Sequence, residues 1–506
     1  MQELFFKLIL ASLILTACTQ KEEDNLQLNI HIPQVNLNLD PHKMEDAFSM
    51  LIVSQIHRGL LRYSSEGEIL PDIAESWKES EDKLRYTFKL KNVTFSDGTP
   101  ITAQNVVYSF ARIFRLQAGI AADVDYIKGA NQTSEAKDLS SFGVKALDAK
   151  TVEFNLSYPS ALFLKHLAVV DCAILPVTQL DQKLKFDETG SFSGPYKIQS
   201  FKDNNDVHLK KWRTDGYESQ TPPSLVHIFT TTENPMKLAT EGLTDTLDRD
   251  LVTPEDTAKL KALDWESVPS EITNETFVIL NPKKLNLEAR KFLFSQVDSD
   301  EIIKLLADEI LKPAYGLIPN GFSGELTDKD AQPLKIDLKK YTGPAISFKL
   351  DYEEGSESEK KIAEFLAKKW TTKNIQVELN PLSKLKKLER MFSKQSDAVI
   401  GRKGVDYPDG LSVLTYFKGK YEANYFHVND PKIDLAIAEA TKEFNTEKRI
   451  QKYKDIQIQI LKYYTNIPLF FGSRASGLWS QKVKSVPSHT MGFHTMHLEG
   501  VEMRTR

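Results

Sequence analysis

"KNVTFSDGTPITAQNVVYSF", from Lys91 to Phe110, reads as a strand, a tight turn and a helix. Upstream, "LRYTFKLKNVTF" alternates apolar with polar side chains through Val93 and Phe95, the period of a strand with one buried face. Asp97-Gly98 then breaks the chain. An aspartate bonds nearby backbone, a glycine takes positive φ at no steric cost, and Pro100 fixes φ just beyond. Thr102 is the natural N-cap of the helix that follows, whose apolar face recurs at Val106, Phe110, Ile113 and Phe114. Asn105 occupies the third helical position, where a full capping box carries Glu or Gln, so the cap is expected to be incomplete. No pair of side chains in the stretch could carry a reaction, so it is scaffold for something else.

A chain of 506 residues exceeds what one hydrophobic core serves, and two or three lobes are expected. With 41% hydrophobic and 27% charged residues the composition is that of a folded soluble protein. Net charge is -5 from 65 basic and 70 acidic residues, too balanced for a phosphate-binding surface, which argues against nucleic acid as a partner. The densest basic run, "SKLKKLERMFSK" from Ser383 to Lys394, alternates with Leu at helical spacing and reads as a solvated helix face. No repeat of solenoid period is present. Strands such as "LQLNIHI", "KTVEFNL", "DVHLKKW", "AISFKLDY" and "IQVELN" alternate with helices such as "SEKKIAEFLAKKWTT" and "EKRIQKYKDIQIQILKYY", which favours mixed α/β lobes. Breaks cluster at Tyr63–Gly67, Gly190–Pro195, Pro269–Asn274 and Phe470–Gly477, so the chain is expected to leave one lobe and return to it.

At the N-terminus, Leu8 to Leu15 form an apolar stretch after Lys7, shorter than the ~20 residues that span a bilayer but suited to a signal-peptide core. It ends in Leu15-Thr16-Ala17-Cys18, which resembles a bacterial lipoprotein cleavage box. That resemblance implies a signal peptide over 1–17, lipid on Cys18 and a polar tether over 18–26. The alternative is an ordinary signal peptide with an incidental Cys. Cys172, the second cysteine, lies in the apolar run "LAVVDCAILPV" and reads as a buried thiol packing as a small hydrophobe. A Cys-His pairing with His166 is open but unsupported by spacing.

Several stretches, in order, resemble the family 5 extracellular solute-binding proteins, the peptide, dipeptide and nickel-type receptors of ABC importers. "NLDPHKMEDAFSMLIVSQIHRGLLRY" is similar to that family's opening strand and helix. "ILPDIAESWKESEDKLRYTFKLKNVTFSDGTPITAQNVVYSFARI" is similar to its signature stretch, with Pro71, Ala74, Glu75, Ser76, Trp77, Phe95, Asp97, Gly98, Thr102, Ala103 and Val106 holding the pattern. "SGPYKIQSF", "GLIPNGFSG", "DYPDG", "ANYFHVNDPKIDLAIAEA" and "IPLFFG" resemble later blocks. The resemblance implies a two-lobed type II periplasmic-binding fold of α/β class with an additional third domain. It also implies an envelope-bound receptor, facing the periplasm or exterior, that closes over a ligand and hands it to a membrane permease. On this reading lobe I comprises 27–62, 190–272 and 475–506, a peripheral domain 63–189, and lobe II 273–474. A monomer without cofactor or metal is expected.

A zwitterionic peptide brings an ammonium and a carboxylate, and each must be paired when buried. In peptide receptors of the resembled family an Asp in the "DY" position matching Asp406-Tyr407 takes the ammonium, which makes Asp406 the first candidate. The same residue could instead serve only its own turn in "GVDYPDG". The family's usual preceding Trp is missing here. Arg402 and Lys403 stand upstream, where they could pair with Asp406 or, in the case of Arg402, bind a ligand carboxylate bidentately. Tyr407 either lines the pocket or packs beneath it. Gly194 and Tyr196 of "SGPYK" are further candidates on the opposing lobe.

His489, Met491, His494, Met496 and His497 bunch near the C-terminus, donors of a kind that suits copper or nickel, though an irregular exposed tail explains them as well. An enzyme remains the rival class. Gly-x-Ser-x-Gly, His-Glu-x-x-His and a phosphate-cradling glycine loop are all missing, so a hydrolase lacks its usual marks. A metal-chelate receptor of the same fold, or an envelope protein that has lost transport, also stays open.

Overall fold

The computed structural model describes residues 26–505 except 33–35, 45, 134–138, 177–185, 188–189, 204, 215–217, 249–251, 253, 269–273, 308–310, 420–423, 473–476 and 488–494. The signal peptide, Cys18, His489, Met491 and His494 therefore lie outside the described residues. No helix among the described residues is long and apolar enough to cross a membrane.

Three sheets organise the chain. The first has seven strands in the order Glu266–Ser267, Gly477–Trp479, Thr246–Asp248, Gln27–Ile32, Leu225–Thr230, Asp206–Lys211, Tyr196–Lys202. Gln27–Ile32 runs parallel to both neighbours, and the flanking pairs are antiparallel. Its strands alternate in burial: Leu28, Ile30, Val207, Leu209, Val226 and Ile228 pack with Leu51, Ile52 and Ile56 of the helix Ala47–Ile56. The second sheet has six strands in the order Lys312–Pro313, Asn466–Gly472, Asn274–Leu280, Ala398–Lys403, Ile346–Glu353, Ile375–Leu382. Both its faces are covered, as the alternation within one strand shows: Phe277 and Ile279 join one core, Val278 and Leu280 the other. The third sheet is the antiparallel set Ala74–Glu79, Arg85–Leu90, Thr151–Asn155, Val144–Ala146.

The chain passes from the first sheet to the second after Glu266–Ser267 and comes back before Gly477–Trp479. These two strands pair with each other, Glu266 opposite Trp479 and Ser267 opposite Leu478. Across the passage Asn274 pairs with Gly472 at the edge of the second sheet. The break at Tyr63–Gly67 is the turn of a hairpin in which Leu61–Tyr63 pairs with Ile69–Pro71.

The opening stretch differs from expectation in two details. Its strand stops at Leu90, and Val93 to Ile101 fold back on themselves: Ile101 donates to the Val93 carbonyl, Phe95 to that of Thr99, and Gly98 turns at φ +86. The intrinsic turn at Asp97-Gly98 overrides the alternating pattern, because a carboxylate accepting from the Thr99 N–H at 2.8 Å closes the loop locally. The helix Ala103–Arg115 has a complete capping box after all. Asn105 Oδ1 accepts from the Thr102 N–H at 2.8 Å while Thr102 accepts from the Asn105 N–H. The shorter amide reaches back because Thr102 is extended.

A third correction concerns the basic run, which forms the helix Lys384–Phe392 but is not a solvated face throughout. Lys387 is buried and its Nζ donates to both Glu359 oxygens at 2.8 Å, and Arg390 donates to Asp351 at 2.8 Å. These cations are the close charge partners of two buried acids, Asp351 near the end of the strand Ile346–Glu353 and Glu359 in the next helix.

The signature helix is tied to the first lobe by charge. Arg112 Nη1 and Nη2 donate to Asp40 Oδ1 and Oδ2 at 2.8 and 2.6 Å, and His42 lies 2.9 Å from Nη1. All three residues are buried. Arg112→Ala should therefore lower unfolding stability by about 3–5 kcal/mol, since it strands a buried carboxylate. The urea midpoint measures this, and a change below about 1 kcal/mol would mean that Asp40 finds another partner.

Candidate functional site

A cleft opens where the lobes meet. One wall is built by Met50, Ser54, His57 and Arg58 at the end of the helix Ala47–Ile56, by Arg62 and Tyr63 of the hairpin, and by Asp72. Ala168 to Asp171 of the third domain and His497 near the C-terminus complete it. From the second lobe Asp406 faces this wall, just beyond the strand Ala398–Lys403. A largely apolar concavity with a few convergent polar groups is the usual form of a small-molecule site.

Its charge is unbalanced. Asp406 keeps an exposed side chain, yet protein surrounds it closely enough for desolvation to raise its carboxyl. A hydrogen bond from the Tyr416 hydroxyl at 3.0 Å and the charge of Lys403 oppose that rise. Asp171 is pushed up to about 7, by burial first and then by Asp406. Asp123 is also pushed up to about 7 by burial, by Asp406 and by Asp171, against the pull of Lys418. Three carboxyl groups thus feel one another across the lobe junction, which is the electrostatic arrangement that favours a guest cation. Beneath them Glu275 and Lys403 stand opposite each other in adjacent antiparallel strands, both buried, the acid pushed up and the amine pushed down by burial. Lys403 Nζ also lies 4.4 Å from the centre of the Tyr416 ring, a cation–π contact that holds the same tyrosine that bonds Asp406.

Of the ligand-binding candidates Asp406, Tyr407, Arg402, Gly194 and Tyr196, Asp406 alone lines the cleft. Tyr407 packs beneath it at 3% exposure, its ring 4.8 Å from that of His166. Arg402 points to the other side of its strand, donating to Ser358 Oγ at 2.7 Å and lying 3.8 Å from Glu359. One step along the strand turns its neighbour Lys403 inward, so of the two upstream cations Lys403 is the one that acts on Asp406. Tyr196 is wholly buried and donates to the Pro223 carbonyl at 2.8 Å. Gly194 donates to the Ile56 carbonyl at 2.8 Å and accepts from Trp212 Nε1 at 2.8 Å. A Cβ there would lie 2.5 Å from the Gln55 carbonyl oxygen, so a close backbone crossing requires the glycine. Cys172 is a buried thiol pushed well up by burial, and His166 Nδ1 sits 2.8 Å from the Tyr126 hydroxyl. Met496 is core, and His497 lines the cleft.

Arg58, Arg62, Asp72, Asp123 and Asp171 escaped sequence reasoning. A signal existed for Asp171: it is the charged residue inside "LAVVDCAILPV", and a charge in an otherwise apolar run marks a place where burial has a purpose. Asp123 and Asp72 carry no such mark, because only the fold brings them to Asp406.

Two sheet-centred lobes meeting at a cleft, with a third domain on one flank, have the architecture of a solute receptor. The chain belongs to the bacterial extracellular solute-binding proteins, family 5, whose middle region matches residues 68–425. It is 25% identical over 468 residues to the periplasmic oligopeptide-binding protein OppA of Escherichia coli, covering 86% of this chain and 85% of that one. The crystal structure of Haemophilus influenzae OppA in complex with RPPGFSPFR superposes with a TM-score of 0.75 at 20% identity, over 96% of this chain and 100% of that one. A solute-binding protein of A. tumefaciens R10 in complex with mannopinic acid gives 0.77 at 20% identity, over 95% and 100%. The two-lobed type II fold with a third domain, expected from the sequence, is the fold of this chain.

The raised carboxyls have a consequence for stability. Asp123 and Asp171 bind protons more tightly folded than unfolded, where an Asp titrates near ~3.9. Their contribution is therefore greatest below about pH 4 and is lost as pH rises to about 7. The double variant D123N/D171N should lose less stability than the parent between pH 5 and 8. Parallel urea midpoints in the two proteins would contradict the assignment.

Proposed function

We propose that the protein is an extracytoplasmic receptor that captures a short peptide, or a similar small zwitterion, by closure of its two lobes and delivers it unaltered to an ABC permease. The observation that carries this reading is the group of carboxyls at the lobe junction, contributed by Asp406, Asp171 and Asp123, on a fold several of whose relatives are named for peptides. The ligand ammonium occupies that junction with Asp406 as its principal partner, and Arg62 on the facing wall is the cation placed to meet the carboxylate end. Tyr407 supports Asp406 from below, and Arg402, Gly194 and Tyr196 hold the scaffold. Lobe I is formed by 27–62, 190–272 and 475–506, lobe II by 273–474, and the peripheral domain by 63–189. Capture needs no chemistry, since the family is one of receptors, and one polypeptide suffices as a monomer.

Asp406→Ala should weaken binding of a peptide with an unblocked amino terminus by about 2–5 kcal/mol, as expected on removing one member of a charged pair buried on closure. N-acetylation of the peptide should cost as much in the parent protein and little in the variant. Calorimetry on both proteins measures this, and an unchanged dissociation constant removes Asp406 from the site. Affinity should also rise from pH 5.5 to 7.5 as Asp123 and Asp171 ionise.

The receptor is held at the cell envelope by lipid on Cys18. Support for this comes from the apolar stretch Leu8 to Leu15 ending in Leu15-Thr16-Ala17-Cys18. Cys18→Ser should move the protein from the membrane fraction to the soluble fraction of its native host, and retention in the membrane would reject the anchor.

A further inference from the structure

We propose that Asp206, His208 and His227 form a binding site for a divalent transition cation of the zinc type, away from the ligand cleft. The three lie on the polar face of the first sheet, the face opposite the core formed by Val207, Leu209, Val226 and Ile228. His208 and His227 are direct partners in the antiparallel pair of Asp206–Lys211 with Leu225–Thr230, and Asp206 is two residues from His208 on the same face.

The donor atoms converge. His208 Nε2 lies 3.2 Å and His227 Nε2 3.4 Å from the same oxygen, Asp206 Oδ1, and one ligand atom from each residue falls within 4.8 Å of the others. Around a tetrahedral ion with bonds of ~2.0–2.1 Å, neighbouring ligand atoms are ~3.3 Å apart, which is the spacing of both nitrogens from the oxygen. Asp206 Oδ1 and His227 Nε2 are shielded from solvent, yet neither makes a hydrogen bond of good geometry.

An ordinary ion pair accounts for this less well. The two imidazoles stack with centroids 4.0 Å apart and planes 8° from parallel, so both cannot carry charge comfortably, and one carboxylate oxygen would have to serve both. Phe229 stacks on His227 at 4.8 Å and fixes the ring. His31 lies beyond Phe229, 5.8 Å from it, and stays outside the donor set. Two imidazoles and one carboxylate suit zinc, with copper and nickel as competitors, and the partly exposed Asp206 and His208 leave a fourth position for water. Aspartate and histidines so spaced show no motif in sequence; a strand register brings them together.

The test uses the untagged full chain, stripped with chelator and titrated with zinc chloride by calorimetry. One equivalent should bind, and His208→Ala, His227→Ala and Asp206→Asn should each weaken it by about tenfold or more. Cobalt(II) should give the strong visible absorption of a tetrahedral complex in the parent and lose it in His227→Ala. Replacing His489 and His494 together should leave the first equivalent in place. Equal melting temperatures of parent and variants in chelator would show that the variants fold. Binding weaker than about 1 mM, or binding that His208→Ala and His227→Ala leave unchanged, overturns the site.

Discussion

Two buried guanidinium groups, Arg58 and Arg112, organise the junction on which the cleft depends. Arg112 grips Asp40 with both nitrogens, while Arg58 bonds Glu499 and the Ser54 carbonyl and lies 3.5 Å from Asp72. Charges in so dry a place must be matched with good geometry or they oppose folding. The matching partners come from distant parts of the chain: Asp40 follows the first strand, Asp72 enters the third sheet, and Glu499 lies near the C-terminus. His42 and His57, wedged in the same cluster, are pushed down to about 3 by burial and by Arg112, so they stay neutral and the cluster does not titrate near neutrality. The cluster of Arg58, Arg112 and their acids behind the cleft is therefore internally matched, and the carboxyl groups opposite it stand out against a fixed background.

That contrast explains how one molecule can be rigid where it must be and receptive where it binds. On the first-lobe side the buried cations Arg58 and Arg112 have their acids. At the lobe junction Asp406, Asp171 and Asp123 share too little positive charge, with Lys403 and Lys418 as the cations that act on them. Such a deficit is costly in the unliganded state and is relieved by a guest that supplies charge. The third domain also reaches the second lobe directly, through Lys165 Nζ at 2.6 Å from Asp409, whose other oxygen accepts from Tyr453 at 2.7 Å.

Local pattern carried most of the architecture. The strand over Gln27–Ile32, the helix over Glu357–Trp370 and the long helix over Thr446–Leu461 lie within a few residues of where periodicity placed them, because each has one apolar face and its own cap or turn. The alternation through Val93 and Phe95 misled, since a local turn outbid it. The site was less legible. Asp406 could be nominated through family resemblance and Asp171 stands out as a charge in an apolar run, but Asp123 matters only through position, and Arg402 and Lys403, adjacent in sequence, were separated by the pleat of a single strand. Charges whose role is set by tertiary neighbours leave no periodic trace.

The double passage between the sheets limits how the two lobes can move. Both tethers are stitched together at each end, Glu266 to Trp479 on one side and Asn274 to Gly472 on the other. Sliding or twisting one half against the other would tear these ladders, whereas bending across the pair of tethers leaves them whole. The molecule is thereby confined to something close to a single swing. Little orientational freedom then remains to be surrendered when a guest arrives, and more of the contact energy survives as affinity.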